Sequence, residues 1–191
     1  YLWEWATALL GFAIGVNPFD QPNVASAKEA TNNALRKGAV LGADALRNAS
    51  DASKAIRDLA AKMSKSENHY CALLAFTPLR DPSARDAIYQ LRAGLAEALM
   101  ANTTLGFGPR YLHSTGQCHK GGPNIGAFLV VTIDSTDDYP IPGESYTFAD
   151  LISAQALGDV AALKEAGRDV LHVHLTWAEV TKLSRALREV S

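Results

Sequence analysis

The chain has 191 residues, nearly half of them apolar, with 18 basic and 20 acidic residues and a formal net charge of −2. This length and composition fit one compact domain, or one and a half, with enough apolar side chains for a sizeable core. The near-neutral charge, without a basic stripe interleaved with aromatic residues, argues against a nucleic-acid partner. Cys71 and Cys118 lie too far apart in sequence to suggest a disulfide framework or a metal knuckle, so we expect a reduced compartment, the cytoplasm.

The first predicted element is an apolar helix over residues 2–15, which ends before Asn17 and Pro18. The apolar run is about as long as a membrane span, but Glu4 interrupts it and a turn closes it early. We therefore expect a buried core helix and no membrane association. Because the chain opens at Tyr1 in the middle of a helix, we expect it to be part of a longer polypeptide.

Two further helices are predicted before residue 65. One begins near Pro22, where proline suits the first helical turn, and runs towards Arg36. The other begins near Asp51 and carries apolar residues at helical spacing. The alanine-rich and polar composition of residues 38–64 is more typical of a surface connection than of a core. We place a domain boundary near residues 64–68, which gives a helical segment (1–64) and an α/β domain (65–191).

The second part of the chain alternates strands and helices. The predicted elements are strand 70–76, helix 82–102, strand 127–133, helix 147–167, strand 170–175 and a last helix from residue 176. Capping boxes are predicted at Thr147 with Asp150 and at Thr176 with Glu179. This order predicts an α/β fold with a mostly parallel sheet flanked by helices on both faces, preceded by the helical segment.

A glycine-rich segment, GFGPRYLHSTGQCHKGGPNIG (residues 106–126), precedes the second of these strands and carries His113, His119 and Lys120. Glycine permits sharp bends and a close backbone approach to a ligand, and loops of this length are usually functional or disordered. The alternative is a surface loop whose polar residues face water. The glycine spacing fits neither common nucleotide-binding motif, and we predict no cofactor.

The helix start NPFDQPNVASAK (residues 17–28) is a second candidate site. Gln21 and Lys28 lie seven positions apart, so their side chains face the same way on a helix. The alternative is that Gln21 caps the helix and Lys28 is simply solvated, as most lysines are.

The run NPFDQP (residues 17–22), followed by Val24 and Lys28, resembles the carboxy-terminal signature of glucose-6-phosphate isomerases. The chain departs from that signature at Asn23, where glycine is usual, and at Ala25, where glutamate is usual. The continuation is similar to the tail of bifunctional transaldolase/glucose-6-phosphate isomerase proteins, in GPRYLHSTGQCHKGGPN, PIPG (140–143), YTF (146–148) and AQALGD (154–159). The likeness covers most of the chain and is weakest over residues 37–65.

The resemblance implies a sugar-isomerase-like fold and an aldose–ketose isomerisation between glucose 6-phosphate and fructose 6-phosphate through an enediolate. It implies that Lys28 stabilises developing oxygen charge or helps to open the sugar ring, and that Gln21 positions substrate. His119 is a catalytic candidate because residues 116–119 resemble the family's Gly-Gln-His element, with one extra residue and a later place in the chain; a structural role is the alternative. His113 and Lys120 are candidate substrate-binding residues.

The chain contains no match to the family's glutamate base or to its Ser/Thr-rich phosphate loop. We therefore expect both in an upstream part of the same polypeptide and expect the fragment to be inactive alone. The resemblance also implies homodimers whose sites borrow residues from a neighbour. The competing interpretation is a non-catalytic α/β module that binds a phosphorylated metabolite or mediates assembly. The first interpretation predicts that Lys28, Gln21 and the histidines of the 106–126 segment, His113 and His119, converge on one cleft. If Lys28 lies far from that segment, the segment is structural or an interface.

His172 and His174 project from the same side of a predicted strand, as a metal-binding pair would. No carboxylate or cysteine is placed in sequence to complete such a site, so we expect exposed or half-buried histidines and no metal. Cys118 lacks a clear base in sequence and is interpreted as an ordinary thiol.

Overall fold

A computed structural model of the chain describes residues 1–20, 22–36, 44–63, 70–77, 82–134 and 138–189. The α-helices of this part are α1 (Leu2–Ile14), α2 (Pro22–Arg36), α3 (Ala49–Met63), α4 (Pro82–Leu99), α5 (Gly116–Gly121), α6 (Phe148–Glu165) and α7 (Trp177–Arg188). The strands are β1 (Tyr70–Phe76), β2 (Asn102–Phe107), β3 (Gly126–Ile133) and β4 (Asp169–Leu175), and a 3-10 helix spans Arg110–His113. The predicted domain boundary at residues 64–68 lies outside the described residues.

The four strands form one sheet in the order β2-β1-β3-β4, with every neighbouring pair parallel. The predicted α/β fold with a parallel sheet is therefore confirmed. β1 and β3 occupy the centre and are apolar and almost wholly buried, as expected for strands covered on both faces. β2 was not predicted, because this edge strand is only half covered and its sequence, NTTLGF, lacks a continuous apolar run.

Successive side chains of the central strands point into two separate layers. Leu73 and Leu129 pack with α3, α4 and α7 on one face, whereas Leu74 and Val130 pack with α6 and the 3-10 helix on the other. None of the α2 side chains that the structure describes belongs to either layer. α2 packs on the outside of α6 and against α5, which brings the start of the chain to the same side of the sheet as the 3-10 helix.

The predicted helix starts are supported by their caps. The Thr147 hydroxyl accepts from the Asp150 N–H and the Asp150 carboxylate accepts from the Thr147 N–H, which is a complete capping box. At α7 the Thr176 hydroxyl accepts from the Glu179 N–H, but the Glu179 carboxylate accepts from the backbone N–H of Ala49. This carboxylate therefore links the starts of α3 and α7.

Two predictions about burial were wrong. α3 is part of the core, with Ala52 and Ile56 fully buried, because its small side chains let it pack closely against α4 and α7. α1 forms as predicted but is exposed, with Gly11 its buried residue and Trp3 and Phe12 left 86% and 88% exposed. Apolar composition predicts the helix, whereas burial also needs a surface to pack on. Within the described ranges, no helix is both long and apolar enough to cross a membrane.

Candidate functional site

A cleft of about 280 Å³ opens where α2, the 3-10 helix, α5 and α6 meet. Its polar lining residues are Lys28, Thr31, Asn32, His113, Gln117, Lys120 and Gln155. Pro109, Leu112 and Leu151 supply apolar wall. Lys28 and His113 therefore meet in one cleft, which is part of the convergence that the isomerase interpretation predicts; His119 does not line the cleft, and Gln21 lies outside the described residues.

The 106–126 segment is largely not a loop. It contains the end of β2, the 3-10 helix and α5, and its glycines serve packing within the fold. A Cβ on Gly108 would lie 2.4 Å from the ring of Phe76, and a Cβ on Gly106 would lie 2.9 Å from Tyr111. These two glycines let the 3-10 helix lie directly on the sheet, which fixes the wall of the cleft.

Lys120 forms a buried charged cluster at the cleft wall. Its ammonium makes an ion pair with the Asp159 carboxylate, and the Tyr111 hydroxyl donates to the other oxygen of the same carboxylate. The Lys120 side chain is 4% exposed and that of Asp159 is completely buried. Burial raises the pKa of Asp159 to about 7 and lowers the pKa of Lys120 to about 8, because each charged form loses its water.

Arg168 holds α5 in place. Its guanidinium donates to the backbone carbonyls of Lys120 and Gly122, at 2.6 and 2.7 Å. These carbonyls lie at the end of α5, where helical partners run out and a cation is favourable. Arg168 therefore fixes the backbone that carries Lys120.

His119 does not line the cleft. Its ring packs among those of Tyr70, Tyr111 and Phe128, with centroid distances of 6.3, 5.9 and 5.2 Å. Burial, aided by the neighbouring charge of Lys120, lowers the pKa of His119 to about 4, so its imidazole is neutral at pH 7. Its Nδ1 is buried and has no hydrogen-bond partner among the described residues.

The other candidates lie in different environments. Lys28 and His113 are exposed at the cleft. Gln21 lies outside the described residues, so the predicted pairing of Gln21 with Lys28 is not tested. Gln117, which was not singled out as a site residue, lines the cleft, and its Oε1 is buried without a hydrogen-bond partner in the described part of the chain.

His172 and His174 lie on one side of β4 as predicted, but both are buried, each about 7% exposed, which corrects the expectation of exposure. The Thr132 hydroxyl lies 3.0 Å from His172 Nε2 and 3.1 Å from His174 Nδ1. His174 Nε2 lies 2.7 Å from Asp134 Oδ1. Burial lowers the pKa of His172 to about 4. Within the described ranges, no group of three or more His, Cys, Asp or Glu side chains is arranged to hold a metal ion.

Sequence reasoning missed Tyr111, Asp159 and Arg168. Asp159 left a weak signal, since it is an acidic residue on a helix face otherwise made of Ala156, Val160 and Leu163, all of them buried. A lone carboxylate among apolar residues at helical spacing indicates either a partner or a functional role. Arg168 left no such signal, because its partners are backbone carbonyls.

No protein-family model and no curated protein matches the sequence. Among solved structures, the chain is similar to the hypothetical protein TT0462 from Thermus thermophilus, with a TM-score of 0.58 and 17% sequence identity. The alignment covers 88% of this chain and 43% of the other, so this chain spans less than half the length of that protein. At this identity the likeness shows the fold alone.

Proposed function

We propose that this chain forms the carboxy-terminal part of a glucose-6-phosphate isomerase, within a bifunctional transaldolase/isomerase polypeptide. The supporting observation is that Lys28, from the isomerase-like signature, lines the same cleft as His113 and Lys120. These residues come from α2, the 3-10 helix and α5, which are separated in sequence and brought together by the fold.

The cleft has groups suited to the reaction. Isomerisation moves a proton between two neighbouring carbons and passes through an enediolate, whose oxygen charge requires cations or N–H donors. The exposed ammonium of Lys28 stabilises this charge, the exposed His113 holds the phosphate, and Lys120, buried and paired with Asp159, lines the inner wall. The unpartnered Oε1 of Gln117 accepts a hydrogen bond from a sugar hydroxyl.

The general base comes from outside the described residues. No carboxylate lines the cleft in the part of the chain that the structure describes, and Asp159 is reached only behind Lys120. The base is then supplied by the upstream part of the same polypeptide or by the second subunit of a homodimer. A cytoplasmic location fits the two cysteines, Cys71 and Cys118, which are both free thiols.

The second candidate is a non-catalytic module that binds a phosphorylated metabolite. It is favoured by the same cleft composition, because cations and amides are sufficient to hold a phosphate but not to abstract a proton from carbon. This candidate predicts binding of glucose 6-phosphate without turnover.

The test is isomerase activity of the full-length protein with Lys28→Ala, using Lys54→Ala as the control because Lys54 is an exposed lysine on α3. Loss of an electrostatic donor at a developing oxyanion lowers kcat by about 10²- to 10³-fold. We expect this loss in Lys28→Ala, with an unchanged urea-unfolding midpoint, and no loss in Lys54→Ala. Full activity of Lys28→Ala would exclude the isomerase role of this lysine, and glucose 6-phosphate binding without any wild-type turnover would favour the non-catalytic module.

A further inference from the structure

Lys120 lines the cleft although its side chain is almost wholly buried. It lines the cleft beside Gln117 and is ion-paired with the fully buried Asp159. Lysines are rarely buried unless paired, and such pairs contribute little to stability because both charges lose their water. The position of Lys120 therefore suggests a role that involves a ligand.

The proton of the Lys120 ammonium has an acceptor beside it. Burial brings the two pKa values together, to about 8 for Lys120 and about 7 for Asp159, so the ammonium is only slightly less acidic than the carboxyl group. Because burial lowers its pKa, a larger fraction of the Lys120 amine is neutral at pH 8 than of an ordinary lysine, whose pKa is about 10.4. Tyr111 donates to the same carboxylate and keeps it in place.

We propose that Lys120 is a carbonyl-reactive amine that forms an imine with a phosphorylated aldehyde bound in the cleft. The ammonium first gives a proton to Asp159, and the neutral Nζ attacks the carbonyl carbon with its lone pair. The two hydrogens of the neutral amine pass as protons to the carbonyl oxygen, which leaves as water, and a C=N bond replaces the C=O bond. Amine and aldehyde thus give imine and water, and the step needs neither an oxidant nor a reductant.

The preference for a phosphorylated aldehyde follows from two other side chains of the cleft. Lys28 and His113 line the same space and lie at its exposed side, where they meet a phosphate while the carbonyl end points inwards to Lys120. Leu112 and Leu151 supply apolar wall for the carbon skeleton between the two ends. This chemistry uses the cleft but does not depend on the proposed isomerisation.

The experiment uses pyridoxal 5′-phosphate as the probe, at one equivalent of the protein and pH 8, followed by borohydride reduction and peptide mass spectrometry. Pyridoxal, which lacks the phosphate, is the ligand control. Lys164 is the internal control because it is an exposed lysine on α6. We expect more than about tenfold more adduct on Lys120 than on Lys164, because Lys28 and His113 hold the phosphate and bring the aldehyde to Lys120.

Inorganic phosphate lowers the labelling of Lys120 and leaves that of Lys164 unchanged. Lys120→Arg removes the main adduct, and Lys164→Arg keeps it. The assignment is overturned if the adduct is spread evenly over the lysines or concentrated on Lys28. It is also overturned if pyridoxal labels Lys120 as strongly as pyridoxal 5′-phosphate does. If Lys120→Arg does not fold, the distribution of adduct over the lysines of the wild-type protein still tests the proposal. This measurement needs no isomerase activity, so it can fail independently of the proposed function.

Discussion

Removing the amine of Lys120 isolates the energetic role of the buried pair. In Lys120→Met the Asp159 carboxyl group keeps its hydrogen bond from Tyr111 but loses the cation beside it. Since Asp159 is completely buried, its charged form then has neither water nor a counter-ion, and the group must either bear that cost or hold a proton.

The size of the effect follows from the pKa values. Burial raises the pKa of Asp159 from 3.8 to about 7 even beside Lys120, which corresponds to a free-energy difference on the order of 4 kcal/mol. A carboxyl group whose pKa is higher in the folded than in the unfolded protein contributes stability that is fully present below its unfolded pKa. This contribution is lost as the pH rises through its folded pKa. The lowered pKa of Lys120 acts in the opposite sense, so the wild-type protein recovers stability above about pH 8.

The Lys120→Met variant lacks that recovery, and its carboxyl group keeps its proton to higher pH because no cation opposes it. We therefore expect the variant to differ little from wild type at pH 6 and to be destabilised by about 3 to 5 kcal/mol more at pH 9.

Urea unfolding at pH 6, 7.5 and 9 measures this difference, with Lys120→Met/Asp159→Asn as the control. The double variant has no charge to desolvate, so its difference from Lys120→Met grows with pH, and replacing a buried pair by neutral residues is often neutral or stabilising. A stability difference between Lys120→Met and wild type that is the same at all three pH values would refute the reasoning. So would a double variant that is destabilised as much as the single variant at pH 9.

Two further predictions concern the supports of the cleft. Gly108→Ala places a methyl group 2.4 Å from the Phe76 ring, and we expect it to lower the free energy of unfolding in urea by about 1 to 3 kcal/mol. In the control variant Gly116→Ala the nearest atom to the added methyl group lies at 3.4 Å, so its stability stays near that of wild type. Equal stability of the two variants would contradict the close packing at Gly108. Thr147→Ala removes the cap of α6 and lowers the free energy of unfolding by about 1 kcal/mol. Thr147→Ser keeps the hydroxyl that accepts from the Asp150 N–H and is the control. An equal loss of stability in both variants would argue against the cap.

The parts of the fold that were predictable from sequence are those whose structure is determined by their own residues. β1 and β3 are apolar throughout because both of their faces are covered, and α6 begins where its own capping box begins. β2 and the burial of α3 depend on neighbours that the local sequence does not contain. A half-covered edge strand shows no apolar run, and an alanine-rich helix appears the same whether its small residues face water or another helix.

The candidate site divides in the same way. Lys28 was predicted from the resemblance to the isomerase signature, and His113, His119 and Lys120 from the glycine-rich segment; the cleft brings Lys28, His113 and Lys120 together but not His119. Asp159 could not be assigned to the site, since its partners Lys120 and Tyr111 lie about 40 to 50 positions away and meet it only through the packing of α6 on the sheet.

The polar groups around α5 are costly for the fold to keep. The Lys120–Asp159 pair is buried, Gln117 Oε1 and His119 Nδ1 lack partners among the described residues, and Arg168 uses its guanidinium on backbone carbonyls. The buried pair and the unpartnered Gln117 Oε1 cost stability or add less than apolar packing would in the same place, whereas Arg168 supports the end of α5. Such departures concentrate where a ligand supplies the missing partner, because binding then recovers part of the cost. Lys120 and Gln117 both line the cleft and fit the ligand site proposed there, whereas His119 lies away from it.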